Sequence, residues 1–177
     1  MNEDESTAQF EQAILPHLDA AYNLARWLTG NDQDAQDVVQ DASLRALKFF
    51  GGFRGGNSRA WLLTIVRNTF YNWLEKNRPR EVSTAGDEEL QTMEDPSVDP
   101  ALLLARSSNI EAVRSAIAEL PVEFREIVVL RELEECSYKE ISDVAGVPIG
   151  TVMSRLARAR KQLQEILTSK PETGGRP

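Results

Sequence analysis

The residues best able to do chemistry lie between Gly150 and Gln164. That stretch holds four cations and no acid, in a chain of 177 residues whose formal net charge is −8. On a helical wheel with Val152 at zero, Leu156, Ala159 and Leu163 fall within about 40° of it and form an apolar face. Thr151, Ser154, Arg155, Arg158, Lys161 and Gln162 fall between about 180° and 300°. Hydroxyls followed by cations on one helical face can hydrogen-bond to base edges and phosphates in a DNA major groove. A cationic face toward a helix C-terminus is also what the helix dipole favours, so the charges alone do not decide. The preceding residues add weight. Ser137-Tyr-Lys-Glu140 has the spacing of a capping box. Ile141, Val144 and Ala145 supply a short apolar face, Gly146 can end that helix in the left-handed conformation, and Val147-Pro148 turns the chain. A short helix, a tight turn with glycine and a longer helix make a helix-turn-helix unit.

A second candidate surface lies upstream. The helix opening at Asn57 or Ser58 and running to about Lys76 interleaves aromatic rings and amides with cations. Leu62, Val66, Thr69 and Trp73 cluster on one side and are expected in the core. Arg67, Asn68 and Tyr71 share another arc with Thr64. Rings beside amides and cations can stack on and bond to exposed bases. The loop just before, Gly51-Gly-Phe53-Arg54-Gly-Gly56, holds four glycines in six positions, which suits neither helix nor strand. With Asn57 and Ser58, it can pocket an unstacked base. Aromatics at helical spacing are more often core, so this surface is weaker evidence by itself. A third surface is acidic: Asp34, Asp37 and Asp41 align on one helix, with Gln40 and Arg45 nearby. Such a stripe can be a solvated, dipole-favoured face or a dock for a cationic helix.

Composition excludes other chemistry. One His (His17) and one Cys (Cys136) cannot build the usual zinc site or an internal disulfide. There is no Walker A, GxGxxG or GxSxG segment. No metal, cofactor or catalytic centre is expected. No apolar run approaches the roughly 18 residues that span a bilayer, and the acidic first residues are unlike a secretory signal, so cytoplasmic residence is the expectation.

The elements that must position these faces are all helical. Phe10, Ile14, Leu18, Tyr22 and Leu28 form one stripe, broken near Pro16 and ended near Gly30. Asn31 or Asp32 caps the helix from about Asp34 to Phe49. Ile110, Val113, Ile117 and Leu120 form another stripe, interrupted by Pro121, and Glu123 to Leu133 a further helix. Between the halves, residues 81–107 hold one basic and seven acidic residues and two prolines, the composition of a linker. The fold class is therefore all-α: two small helical domains, 1–80 and 108–168, joined by an acidic flexible linker, with a flexible tail over 169–177.

At this point the residues resemble a family. Asp34-Ala-Gln-Asp37-Val-Val-Gln40-Asp41 through Lys48 is similar to the polymerase-binding helix of extracytoplasmic-function (ECF) sigma factors. Phe53-Arg54-Gly and Ala60-Trp61 through Asn68 are similar to their promoter-melting segment. Leu120-Pro-Val-Glu-Phe-Arg through Arg131 resembles the start of their region 4, and Ser137 through Arg160 its helix-turn-helix. The chain departs at Met153, where members often carry a cation, and at Ala157, where they carry a larger residue. The resemblance implies a transcription initiation subunit. Asp37, Gln40 and Asp41 would face the β′ clamp coiled coil of core RNA polymerase. Phe53, Arg54, Asn57, Ser58, Arg67, Asn68, Tyr71 and Asn72 would capture the −10 element of promoter DNA. Thr151, Ser154, Arg155, Arg158 and Lys161 would read or grip the −35 element. The linker would thread the polymerase cleft, and an anti-sigma factor would clamp the two domains. Two other readings stand beside it: a sigma-factor mimic that sequesters an anti-sigma factor, and a plain helix-turn-helix regulator. The latter leaves Trp61, Arg67 and Asn68 unexplained.

Overall fold

A computed structural model describes residues 2–77 and 110–169, and the expected linker and nearly all of the expected tail lie outside them. Every regular element among the described residues is helical.

The first lobe has four helices. α1 (Glu3–Ile14) ends where Pro16 forces one 3₁₀ turn, Leu15–His17, and the stripe resumes as α2 (Leu18–Thr29). Gly30 closes α2 at φ +87°, a conformation that an L side chain rarely adopts. α3 (Asp32–Phe49) begins two residues earlier than the sequence suggests, because Asn31 caps it: the Asn31 Oδ1 accepts from the Asp34 N–H at 2.9 Å. α4 (Ser58–Asn77) starts after the glycine loop, with the Asn57 Oδ1 accepting from the Ala60 N–H at 3.0 Å.

α4 departs from the expected single buried face. Leu62, Val66 and Thr69 are buried as expected, but so are Ala60, Leu63 and Phe70 around the rest of the helix. The reason is its position: α2 and α3 pack on one side, and a helix of the second lobe packs on another. A helix covered on several sides has no reason to be amphipathic.

The second lobe holds α5 (Ile110–Glu119), α6 (Val122–Val128), α7 (Tyr138–Ala145) and α8 (Ile149–Ser169). The helix expected over Glu123 to Leu133 is α only in its first half. Residues Val129–Leu133 widen into a π turn, in which the Glu134 N–H donates to the Val129 carbonyl at 3.0 Å. The turn after it is tied by Arg131, whose Nη1 donates to the Cys136 carbonyl at 2.9 Å. The capping box at Ser137 is complete in both directions: the Ser137 Oγ accepts from the Glu140 N–H at 3.1 Å, and the Glu140 Oε1 from the Ser137 N–H at 3.0 Å. Gly146 ends α7 at φ +68°. Val152, Leu156, Ala159 and Leu163 of α8 are buried, as the wheel requires.

The two lobes pack on each other. α2 meets α6, and α4 meets α7. No helix of the described residues is long and apolar enough to cross a membrane.

Candidate nucleic-acid interface

Five of the upstream candidates point outward or line the loop. Arg54, Asn57, Asn68 and Asn72 are exposed, and Ser58 is partly so. Phe53 is half-buried in a cluster of rings, 5.7 Å from Phe50 and 5.1 Å from Trp61 between centroids, with Phe10 edge-on to Phe50 at 5.4 Å. The glycine loop is thus held against an aromatic floor, with Arg54 exposed beside it.

Arg67 and Tyr71 go elsewhere. The Arg67 guanidinium turns to the second lobe and grips Glu126 with two bonds, Nε to Oε2 at 2.8 Å and Nη2 to Oε1 at 3.2 Å. Its other face lies over the Tyr71 ring, 4.5 Å from the centroid. Glu126 is 0 % exposed and the Arg67 side chain 19 %. Burial pushes the Glu126 carboxyl above its ordinary value, and the Arg67 charge offsets part of that. Burial, and then the Glu126 charge, raise the Tyr71 phenol. Half of the cationic and aromatic face expected to meet nucleic acid therefore closes on the protein's own second lobe.

A second contact repeats the pattern at the other end of α4. Glu140, the capping-box residue, also accepts across the lobes: its Oε2 takes the Asn57 Nδ2–H at 2.7 Å and the Arg59 Nη2–H at 3.2 Å. Arg59 Nη1 donates to the Glu134 carbonyl at 2.9 Å, and Asn23 Nδ2 to the Glu134 side chain at 2.6 Å. Arg125 reaches from α6 to the C-terminal carbonyls of α2, at 2.9 Å from the Trp27 oxygen. Any nucleic-acid contact by Asn57 or Arg67 requires these bonds to be exchanged.

The Glu140 contact sets a pH dependence. The Ser137 N–H, then Asn57 and Arg59, hold its carboxyl down at about 2. The Ser137 cap persists when the lobes part, so only the Asn57 and Arg59 share of that depression favours the closed arrangement, and this share is lost as pH falls toward 2. The lobes should therefore stay packed through neutral and mildly acid pH and loosen only as pH approaches 2. Scattering measured against pH checks this, and in Glu140→Gln the acid loosening should shrink.

On α8, the candidates divide. Lys161 is exposed; Thr151, Arg155 and Arg158 are half-buried; Ser154 is only 9 % exposed. Ala157, on the same side as Ser154, is also buried. Arg160 turns inward to Glu132 at 3.1 Å, so it braces the lobe.

On α3, Asp37, Gln40 and Asp41 are exposed in one line. Arg45 reaches back to Asp41 at 3.4 Å. The line continues as Leu44 and Leu47, 62 % and 53 % exposed, beside an exposed Phe49. These leucines extend the acidic stripe with apolar area and were not among the residues singled out from the sequence. The available signal was their phase, since they fall off the Ala35, Val38, Ala42, Ala46 face that packs inward. The cross-lobe contacts of Arg59, Arg125 and Glu126 were also missed, because their partners lie far away in the chain.

Among the described residues no group of three or more His, Cys, Asp or Glu side chains could hold a metal. Cys136 is buried, and burial pushes its thiol up to about 11, a poor nucleophile at neutral pH.

Comparisons with known proteins agree with this geometry. Residues 13–80 match the family model "Sigma-70 region 2", and residues 110–163 match "Sigma-70, region 4". The chain is 36 % identical over 156 residues to the ECF RNA polymerase sigma factor EcfG of Rhodopseudomonas palustris, covering 88 % of this chain and 81 % of that one. It is 33 % identical over 160 residues to the ECF sigma factor SigE of Mycolicibacterium smegmatis, covering 89 % of this chain but only 61 % of that one. Among solved structures, the sigma factor RpoE of Bartonella quintana, in complex with the anti-sigma factor NepR, superposes with a TM-score of 0.69 at 32 % identity over 92 % of this chain and 99 % of that one. With its region 2 and region 4 lobes in that order, this chain belongs to the ECF sigma factors of RNA polymerase.

Proposed function

We propose that this chain is an alternative sigma factor. It binds core RNA polymerase and directs promoter-specific initiation, with no catalysis of its own. The observation that carries this reading is the joint presence, in family order, of an exposed acidic-apolar stripe on α3, an aromatic-cationic α4 and a helix-turn-helix in α7 and α8. Asp37, Gln40 and Asp41, extended by Leu44 and Leu47, supply the polymerase contact. Arg54, Asn57, Ser58, Arg67, Asn68, Tyr71 and Asn72, with Phe53 beneath the loop, supply the −10 contact. Thr151, Arg155, Arg158 and Lys161 supply the −35 contact, to which the nearly buried Ser154 offers little surface. The functional units are the domains 1–80 and 108–168, working in the cytoplasm with the polymerase. A net charge of −8 makes naked duplex a poor partner, so the polymerase must hold the chain at the promoter. Among solved relatives, RpoE is in complex with the anti-sigma factor NepR, which supports a protein inhibitor here, and CnrH is in complex with the cytosolic domain of CnrY.

The test is reconstitution of the full chain with bacterial core polymerase and mapping of transcript starts on a fragmented source genome. Defined starts sharing paired upstream elements are the expected result. Arg158→Ala should then reduce use of the upstream element roughly tenfold, the scale of one lost charged contact. Binding without defined starts would overturn the −10 and −35 assignments. No binding to polymerase would leave the mimic or plain-regulator reading.

A further inference from the structure

α8 carries one feature that its cations do not explain. Ile149 and Met153 are the large apolar side chains on this helix that stand in solvent, 44 % and 48 % exposed. They are four residues apart, so both project from one side of its first two turns. Pro148 and Gly150, beside them, are also exposed and add no polar group in front of them. The core side of the same turns is separate: Val152 and Leu156 are fully buried.

A single apolar residue on a surface needs no explanation. This pair is distinguished by its place. It occupies the amino-terminal turns of the second helix of a helix-turn-helix, the part of that motif that comes closest to base edges. A cation or amide at Met153 would offer donors to bases or phosphates, but a thioether offers none and accepts only weakly. The apolar group that a base pair presents in the major groove is the C5-methyl of thymine. Methionine suits such a contact, because its unbranched, polarizable chain adjusts to an irregular surface. The helix suits a polyanion: Arg155, Arg158 and Lys161 follow on a neighbouring arc, where they can grip phosphates beside the apolar pair rather than share its face, and no acid occurs from Gly150 to Gln164.

We propose that Met153, backed by Ile149, is a specificity-determining contact that selects thymine at one or two positions of the upstream promoter element. This rests on the reading of α8 as the −35-recognising helix. A methyl group lost from such a contact lowers occupancy about three- to fivefold.

The experiment uses holoenzyme made from core polymerase and the full chain, initiating on a promoter library with a randomised −35 element. Wild type is compared with Met153→Ala, a change at an exposed helical position that leaves core binding and −10 dependence as internal controls. The expected result is a thymine preference of three- to fivefold in wild type that Met153→Ala loses. At those positions, deoxyuridine in place of thymidine should lower wild-type initiation by the same factor and leave Met153→Ala unaffected. Identical base profiles for the two proteins, or an equal cost of deoxyuridine to both, would overturn the proposal and assign the apolar pair to a protein contact instead. No base preference at any randomised position in wild type would remove the −35 reading itself, which separates the two failures.

Discussion

Replacing Arg67 with alanine should part the two lobes. Arg67 holds Glu126 through two charge-assisted bonds, and Glu126 is completely buried. Removing one member of such a pair leaves an unpaired charge away from water, which costs about 3–5 kcal/mol. The two residues belong to different lobes, so the chain need not unfold to relieve that cost. It can separate the lobes and return the carboxylate to solvent. The ratio of closed to open forms should therefore fall by a factor between roughly 10² and 5 × 10³. Small-angle scattering reads this as a larger radius of gyration at neutral pH, with helical content unchanged. Glu126→Gln should open the lobes less, because a neutral amide leaves no buried charge and the partly exposed Arg67 can find water. That second variant retains Arg67, so it separates opening from nucleic-acid contact. Its binding to single-stranded −10 DNA should increase as its lobes open. A scattering profile of Arg67→Ala identical to wild type would show that the pair does not hold the lobes together.

Phe70→Ala should be the most damaging change to the first lobe. Phe70 is among the largest fully buried side chains, packed edge-on to Tyr71 at 5.2 Å and stacked on Trp73 at 6.0 Å between centroids. Truncating a buried phenylalanine costs about 3–5 kcal/mol, from lost transfer energy and the cavity left behind. A lobe of roughly 70 residues has only about 4–10 kcal/mol to lose. Urea denaturation should show a first transition moved to much lower denaturant, and core polymerase binding should weaken in parallel, because α4 also braces α3. Phe70→Leu should recover most of the loss, since it keeps apolar volume. Stability of Phe70→Ala within about 1 kcal/mol of wild type would mean that neighbours refill the space.

The consequence for function lies in where α4 points. Arg67 and Tyr71 face the second lobe, while Asn68 and Asn72 on the same helix face solvent. In the closed arrangement a strand of DNA meets the amides and the glycine loop but not the guanidinium. On the proposed assignment, the −10 surface is assembled in full only when Glu126 and Glu140 release Arg67 and Asn57. The proposed polymerase contact, the exposed stripe of α3, takes part in none of these bonds.

Much of this was legible in the sequence because its causes are local. The break at Pro16, the Asn31 cap, the left-handed Gly30 and Gly146, and the reciprocal Ser137–Glu140 box each depend on residues within a few positions. The apolar phase of α8 likewise predicted Val152, Leu156, Ala159 and Leu163 as its buried side. The π turn at Val129–Leu133 was not legible, since Glu123 to Leu133 carries an ordinary helical pattern and the widening shows only in its hydrogen bonds.

By itself, then, the sequence determined the helices, their caps, the helix-turn-helix and the charge carried by each face. Those follow from backbone preference and helical period, which act over one or two turns. The tertiary structure decided which faces remain open. Glu140 reads from sequence as a cap and becomes an acceptor for Asn57, 83 positions away. Arg67 reads as a ligand for bases and is paired with a carboxylate 59 positions away. A charged side chain takes whichever partner the fold brings within reach, and that distance is set by the packing of α4 against the second lobe.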